Sequence, residues 1–551
     1  MKRIIASLLV FSGFVLCTSA QDAPVGEVEN AQIIIEKDKP LTLPKATKIY
    51  KPVEVEIVDN QASDLKFQVS EPTIELDPFE SNIVVQPYQS VSKVIPKDGY
   101  LKVGFGNYLS PLVLGNYIYK DRKNRLSALV DIESFARGPV REEESAFSRM
   151  KLGATYDRTL KKMTLGSQVN YSREGYYFYG YDPESELVNP NPLLLDDKVA
   201  YNRFNFGLSA ISTSKGDWSW MIKPSIELTN MQAESVDFNT EFIFNNQLGL
   251  TYDISKTLSV SLFSDYNFAN YSSGSNDQRY VFSASPYAKW QNENLSIIGG
   301  VNVALSEDLL SKQTKVFPNI KAKWDASEEL SINAEVSGNT KLNTLSQIQA
   351  TNRYLNDSLG ILNYDENIKV AIGGSYKISE LMSIQPYVSY SNFTNWQFFA
   401  ASANDSSRFE LLTETGSFGK LTFGTAFNLV KGATQLSADF MFHSYQTDVL
   451  QEAWYLPTSQ VSLHFDQLVG ESLRIYSYLN FMNGIIGLNP TTLESINLNP
   501  ILDMGIGINY RFNDSFSAFA EVKNVFGVEY EQYQNYPVRG ITGKLGFIYR
   551  F

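Results

Sequence analysis

Leu502-Asp503-Met504-Gly505-Ile506-Gly507-Ile508-Asn509-Tyr510-Arg511-Phe512 alternates without a break. Leu502, Met504, Ile506, Ile508, Tyr510 and Phe512 share one face; Asp503, Gly505, Gly507, Asn509 and Arg511 share the other. A period of two with one apolar face is the pattern of a β-strand that has one greasy and one wet side. Asn513-Asp514 then makes a short polar turn, and the pattern resumes.

The same theme recurs upstream. Leu258, Val260, Leu262, Tyr266 and Phe268 oppose Ser259, Ser261, Asp265 and Asn267. Leu330, Ile332, Ala334 and Val336 oppose Ser331, Asn333, Glu335 and Ser337, and Leu473, Ile475, Leu479 and Phe481 oppose Ser472, Arg474, Tyr476, Tyr478 and Asn480. Strands of a soluble sandwich run about five or six residues, and these alternations run much longer. Short turns at Ser255-Lys256, Asn292-Glu293 and Asn513-Asp514 alternate with long connections across 174–198 and 341–366. Short turns on one side and long loops on the other are the habit of outer-membrane barrels. The reading is therefore all-β: a transmembrane antiparallel β-barrel of about 22 strands, opening with strands at 101–108 and 112–119 and closing with 516–525 and 539–551.

The C-terminus carries its own signal. Phe551, Tyr549, Phe547, Leu545 and Ile541 fall on one face, with Arg550, Ile548, Gly546 and Lys544 on the other. A terminal aromatic residue with apolar residues at every second position is what barrel-assembly machinery reads, so Phe551, Tyr549, Phe547 and Leu545 are the expected assembly signal. Ile548 breaks the polarity of the inner face.

Composition narrows the function. The chain has 551 residues, of which 13% are aromatic, and its 47 basic and 60 acidic residues leave a net charge of −13. That balance argues against a nucleic-acid partner, which needs a basic face. Two histidines, His443 and His464, and a single cysteine leave almost nothing for a metal site. Both histidines read as polar wall residues, and no Ser/His or Asp/His constellation suggests a barrel-wall hydrolase. The expectation is no enzyme and no cofactor.

Residues 1–20 read as a signal peptide: Lys2 and Arg3, an apolar run over 4–16, then Thr18-Ser19-Ala20 before Gln21. A lipid anchor at Cys17 is the alternative, opposed by the bulky Leu16. Residues 21–97 hold Pro24, Pro40, Pro44, Pro52, Pro72, Pro78, Pro87 and Pro96, with β-prone Ile33-Ile34-Ile35 and Val53-Glu54-Val55-Glu56-Ile57-Val58 between them. Such proline density favours an extended periplasmic or lumenal arm over a packed domain. The arm is a tether to a periplasmic partner or a filler of the lumen; a tail with no binding role is the alternative. Residues 98–551 form the barrel.

Two aromatic clusters are candidate rims: Tyr176, Tyr177, Phe178, Tyr179 and Tyr181, and Trp396, Phe398 and Phe399. They read as the girdle at a membrane interface, or as a stacking surface for a glycan or partner. The second cluster also suits a loop packed over the mouth. Glu142-Glu143-Glu144 reads as a solvated loop.

Phe519-Ala520-Glu521-Val522-Lys523-Asn524-Val525-Phe526-Gly527, then Glu529-Tyr530-Glu531-Gln532-Tyr533, Pro537 and Arg539-Gly540, resembles the end of TonB-dependent receptor barrels. Residues 339–364, with Leu345, Asn352-Arg353-Tyr354 and Ile361, are similar to a loop of the same barrels. The resemblance implies a 22-stranded outer-membrane barrel of the transporter class. Those receptors carry a plug domain and a TonB-contacting box; residues 21–97 are too few for such a plug, and 32–37 or 83–86 are the candidate boxes. Gly106-Asn107-Tyr108, Ala136-Arg137-Gly138-Pro139 and the run from Tyr176 to Asp182 resemble a Bacteroidota group of receptor-like barrels. The expected function is transport-related, with a non-transporting scaffold for an outer-membrane complex as the alternative and a general porin disfavoured. The expected partners are outer-membrane lipid and a periplasmic or outer-membrane protein met through the arm or the surface loops.

Overall fold

The computed structural model describes residues 98–180, 198–213, 216–233, 236–273, 276–489 and 492–551. The signal peptide, the arm at 21–97 and Tyr181 lie outside them. Twenty-two antiparallel strands join neighbour to neighbour, and the first (Gly99–Gly106) pairs with the last (Thr542–Arg550), closing the sheet. Closure removes the unpaired strand edge that would otherwise be exposed to lipid. The sequence reading put the last strand at 539–551; it starts at Thr542, because Arg539 and Gly540 belong to a loop that turns into the mouth.

Turn chemistry explains one end of the barrel. Asp121 Oδ1 accepts from the backbone N–H of Lys123 and of Asn124 at 2.7 Å, and Asn292 Oδ1 accepts from Asn294 at 3.0 Å and Leu295 at 2.7 Å. Asn513 Oδ1 does the same for Ser515 at 2.9 Å and Phe516 at 3.0 Å. An Asx side chain that closes the turn itself needs only a few residues. Hydrogen bonds from the Asn124 side chain and from the two backbone amides hold the Asp121 carboxyl down at about 2. The termini of the barrel sit at this end, where Gly99 and Phe551 exchange N–H···O bonds of 3.1 and 3.0 Å.

The alternation has the predicted sense. Val260, Leu262, Ile506, Ile508, Tyr510 and Phe512 face outward and are exposed in the isolated chain, as are Leu545 (68%) and Phe547 (65%). An apolar surface wrapping a closed barrel is stable only against hydrocarbon, so the barrel belongs in the outer membrane. Phe551 and Tyr549 continue that band and stack at 5.7 Å. Ile548, the irregular inner residue, is buried with Leu112 and Phe519, a small apolar spot on an otherwise polar wall.

Around the closing seam that wall is densely charged. Lys102 and Glu521 pair at 3.0 Å, Arg149 meets Asp131 at 3.3 Å, and Lys544 pairs with Glu133. The Lys102 ammonium also lies 4.1 Å from the Phe519 ring centroid. These contacts tie the first, third and fourth strands to the last two from inside.

Candidate functional site: a loop-sealed mouth over a polar chamber

The long connections lie at the other end, and the one at 342–363 decides what the mouth is. Thr344 opens its helix (Leu345–Thr351) with a capping box: Thr344 Oγ1 accepts from Gln347 N–H at 3.3 Å, and Gln347 Oε1 accepts from Thr344 N–H at 3.2 Å. A helix of 7 residues does not persist alone. Leu345 and Ile348 supply the missing stability by packing with Tyr271, Leu355, Leu359 and Ile361.

An ion pair in the wall anchors the entry to this helix. Arg279 and Glu241 are fully buried and meet at 2.5 Å. Arg279 donates to the Asn343 carbonyl at 2.7 Å, and the second Glu241 oxygen accepts from Leu345 N–H at 2.7 Å. Both charges are thereby paired, and each also bonds the loop backbone, which offsets part of the cost of burying the pair.

Beyond the helix the loop crosses to other walls. Arg353 pairs with Glu174 at 3.6 Å and lies over the Phe147 ring at 4.6 Å. Asn356 N–H donates to Phe409 O at 2.8 Å, and Phe409 N–H to Tyr354 O at 2.7 Å. Gln397 accepts from Leu362 N–H at 3.1 Å and donates to Gly360 O at 2.7 Å. Pinned to strands this far apart in the ring of neighbours, the loop lies across the opening.

Tyr354 is the centre of the seal. Its ring stacks on Tyr536 with centroids 3.4 Å apart, and Tyr176 and Tyr179 meet it edge-on at 5.9 Å. Tyr176 donates to Arg353 O at 2.6 Å, Tyr533 to Thr351 O at 2.7 Å, and Tyr536 to Ser407 O. Burial pushes the phenols of Tyr179, Tyr533 and Tyr536 well above their ordinary range, so they stay uncharged.

Tyr533 and Tyr536 come from the loop at 524–541. Asn524, the asparagine of the receptor-like motif, is fully buried with φ 48°. Its side chain donates to Val528 O at 3.2 Å and Arg539 O at 3.1 Å and accepts from Val528 N–H at 3.1 Å, clasping the base of that loop. Arg539 reaches Arg137 O at 3.3 Å and stacks over Phe135 at 4.1 Å, which fastens it to the loop at 136–146.

The aromatic candidates therefore divide. Tyr176, Phe178 and Tyr179 are buried inside the mouth and not in a lipid-facing girdle, while Tyr177 is half-buried at its strand end. Trp396, Phe398 and Phe399 lie in a strand (Met382–Ala401) and not in a loop over the mouth. A bulge after Thr394, with Asn395 at φ 59°, shifts their register, so Trp396 and Phe398 contact Phe418 at 5.5 and 5.0 Å and Phe399 contacts Tyr533 at 6.0 Å. Tyr179 and Phe398 share one buried cluster, so two segments distant in sequence meet in the seal. His443 bonds Thr422 at 2.9 Å and stacks on Tyr445 at 5.8 Å, and His464 is on the neighbouring strand. Sequence reasoning missed Arg279 and Glu241; the anchor they make uses backbone atoms of the loop, which leave no residue pattern.

Below the helix lies a cavity of about 990 Å³, walled by hydroxyl and amide side chains such as Ser167, Ser225, Gln247 and Asn267 and roofed by Thr344 and Ser346. Arg203 and Glu227 at its side neutralise each other at 2.6 Å. The arrangement is a polar chamber under a packed aromatic seal.

Comparison with protein-family models finds no match, and neither does comparison with curated proteins. Among solved structures, the chain is similar to the FrpB iron transporter from Neisseria meningitidis, with a TM-score of 0.67 at 10% identity over 83% of this chain and 82% of that one. The siderophore receptor PirA from Acinetobacter baumannii matches at 0.63 and 11% identity over 84% and 81%. The ferric-catecholate import receptor Fiu from E. coli K12 matches at 0.63 and 10% identity over 83% and 82%. Identities this low make the likeness one of fold. What the chain shares with these proteins is the fold, a closed, 22-strand antiparallel barrel of the outer membrane.

Proposed function

We propose that the protein moves a bulky hydrophilic solute across the outer membrane, with the 342–363 loop as the part that must open. The observation that carries this reading is the hollow chamber of about 990 Å³ beneath a seal made of loops. A scaffold has no use for such a chamber, and a general porin has no use for such a seal. The wall offers hydroxyls, amides and a paired Arg203 and Glu227, which suits binding and passage more than bond-breaking chemistry, so the protein is no enzyme. The iron chelates named for its structural neighbours are the first cargo class to screen.

In the same proposal residues 1–20 are a cleaved signal peptide, and 21–97 form an arm that takes the place of a plug, as in the receptor-like barrels of Bacteroidota. The arm occupies the lumen from below or holds a periplasmic protein that supplies energy. Deleting residues 21–97 from the chromosomal copy tests this. Sensitivity to large antibiotics after deletion supports a lumenal arm, and unchanged resistance with lost uptake supports the periplasmic partner. Retention of both resistance and uptake removes the arm from the mechanism. Uptake of a labelled solute by cells, compared with cells lacking the protein, tests transport itself.

A further inference from the structure

One stretch of the outer wall differs from the rest of the apolar band. Across three neighbouring strands the register aligns Phe204 with Leu228 and Leu228 with Phe242, all facing outward and exposed. One step toward the mouth, the same register aligns Arg173 with Asn202, Asn202 with Asn230, and Asn230 with Thr240. An apolar tier thus lies directly beneath a tier of one guanidinium, two amides and a hydroxyl. Asn202, Asn230 and Thr240 with Phe204, Leu228 and Phe242 enclose a groove of about 340 Å³, bounded at its sides by Tyr171 and Asn270 and reaching the buried Thr229 and Glu241 at its floor, and Arg173 flanks it beside Asn202. Tyr171 donates to Asn202 Oδ1 at 3.0 Å, fixing that amide, and the Asn270 carboxamide oxygen is buried without a hydrogen-bond partner.

The charge of this rim is also distinctive. In a chain of net charge −13, the outward residues of the strands around the groove present Arg173 and, two steps higher on the next strand, Lys198. No carboxylate takes an outward position beside them among the described residues. A protein surface of mixed sign would place acids there as readily as bases.

We propose that this groove binds one molecule of a phosphorylated glycolipid from the surrounding outer leaflet. Acyl chains lie on Phe204, Leu228 and Phe242, where the membrane already places hydrocarbon. The amides of Asn202 and Asn230 and the Thr240 hydroxyl bond sugar hydroxyls, a hydroxyl fills the open acceptor of Asn270, and Arg173 takes a phosphate. The groove straddles the boundary between hydrocarbon and headgroup, so a soluble ligand would meet only half of it. The proposal rests on the barrel's place in the outer membrane and is independent of whether it transports.

The test uses the full-length protein in dodecyl maltoside, titrated with lipid A in mixed micelles and read by native mass spectrometry and intrinsic fluorescence. Phosphatidylglycerol and inorganic phosphate are titrated in parallel. The expected result is preferential retention of lipid A, weakened about tenfold or more in Arg173→Ala/Asn230→Leu through loss of a charge-assisted bond and an amide bond. Lys312→Ala, an exposed rim cation on a distant strand, is expected to leave retention unchanged. Wild-type affinity in the double variant overturns the site, provided its heat-modifiable band shows a folded barrel. Equal retention of phosphatidylglycerol overturns the sugar-reading part, and equal retention of inorganic phosphate reduces the groove to an anion contact. Absence of the protein from the outer-membrane fraction would instead defeat the localisation on which the proposal stands.

Discussion

The mouth and the chamber beneath it are built from the same strands and obey opposite rules. At the mouth, phenol and phenyl rings from loops far apart in sequence pack on Tyr354 and exclude water. In the chamber, serine, asparagine and glutamine line the volume together with charged side chains, of which Arg203 and Glu227 pair with each other. Packed aromatic surface resists removal of any one piece, whereas a solvated polar wall tolerates almost any single change. The difference teaches where closure resides: in the loops, with the wall serving as a holder.

Replacing residues 345–361 by a short Gly-Ser linker is expected to have the largest effect. Cells should become sensitive to large antibiotics while the barrel still assembles; unchanged resistance would move closure out of the loops. Glu241→Ala comes next. It strands the Arg279 charge in a buried position and frees Leu345 N–H, at a cost of about 3–5 kcal/mol to the anchored loop. Faster labelling of a cysteine placed at Gln347 measures that loosening, and Glu241→Leu/Arg279→Met should recover much of it, since an apolar pair leaves no charge unpaired.

Tyr354→Ala removes the central ring while the anchor stays, so its expected cost is about 3 kcal/mol, read as partial labelling at the same cysteine. Phe551→Ala touches neither region. It should lower the amount of assembled barrel on a heat-modifiability gel without changing labelling in the barrels that do form. Smallest of all, Ser225→Ala in the chamber should change stability by no more than about 0.5 kcal/mol, measured by thermal unfolding of the band. A large effect there would mean that the chamber wall is packed and not hollow.

The barrel was legible because its rule is local. Each strand repeats the Leu502-to-Phe512 alternation, and Asn513 closes its turn with its own side chain. The mouth was not legible, for two physical reasons. Some strands greatly exceed the ~9–11 residues that hydrocarbon requires; the one over Phe409–Lys431 has 23, and above the membrane an apolar residue no longer has to face outward. The bulge at Asn395 then changes the face on which Trp396 and Phe398 lie. Tyr176 and Tyr179 could not be told from an interface girdle, because their partners Tyr354 and Tyr536 come from loops whose direction no alternation records. The receptor-like motif did carry a trace: Asn524, Tyr530 and Tyr533, quoted for resemblance alone, are a loop clasp and two buried members of the seal.

Arg279 and Glu241 grip the 342–363 loop by a carbonyl and an amide, groups that every residue type but proline supplies. This part of the grip uses the backbone at 343 and 345, while the Leu345 side chain adds its own packing. Under pressure from bacteriophages or antibodies, an exposed position of the loop such as Ser358 is free to diversify while the tether holds. The same property makes this loop a place to graft foreign peptides for display at the cell surface.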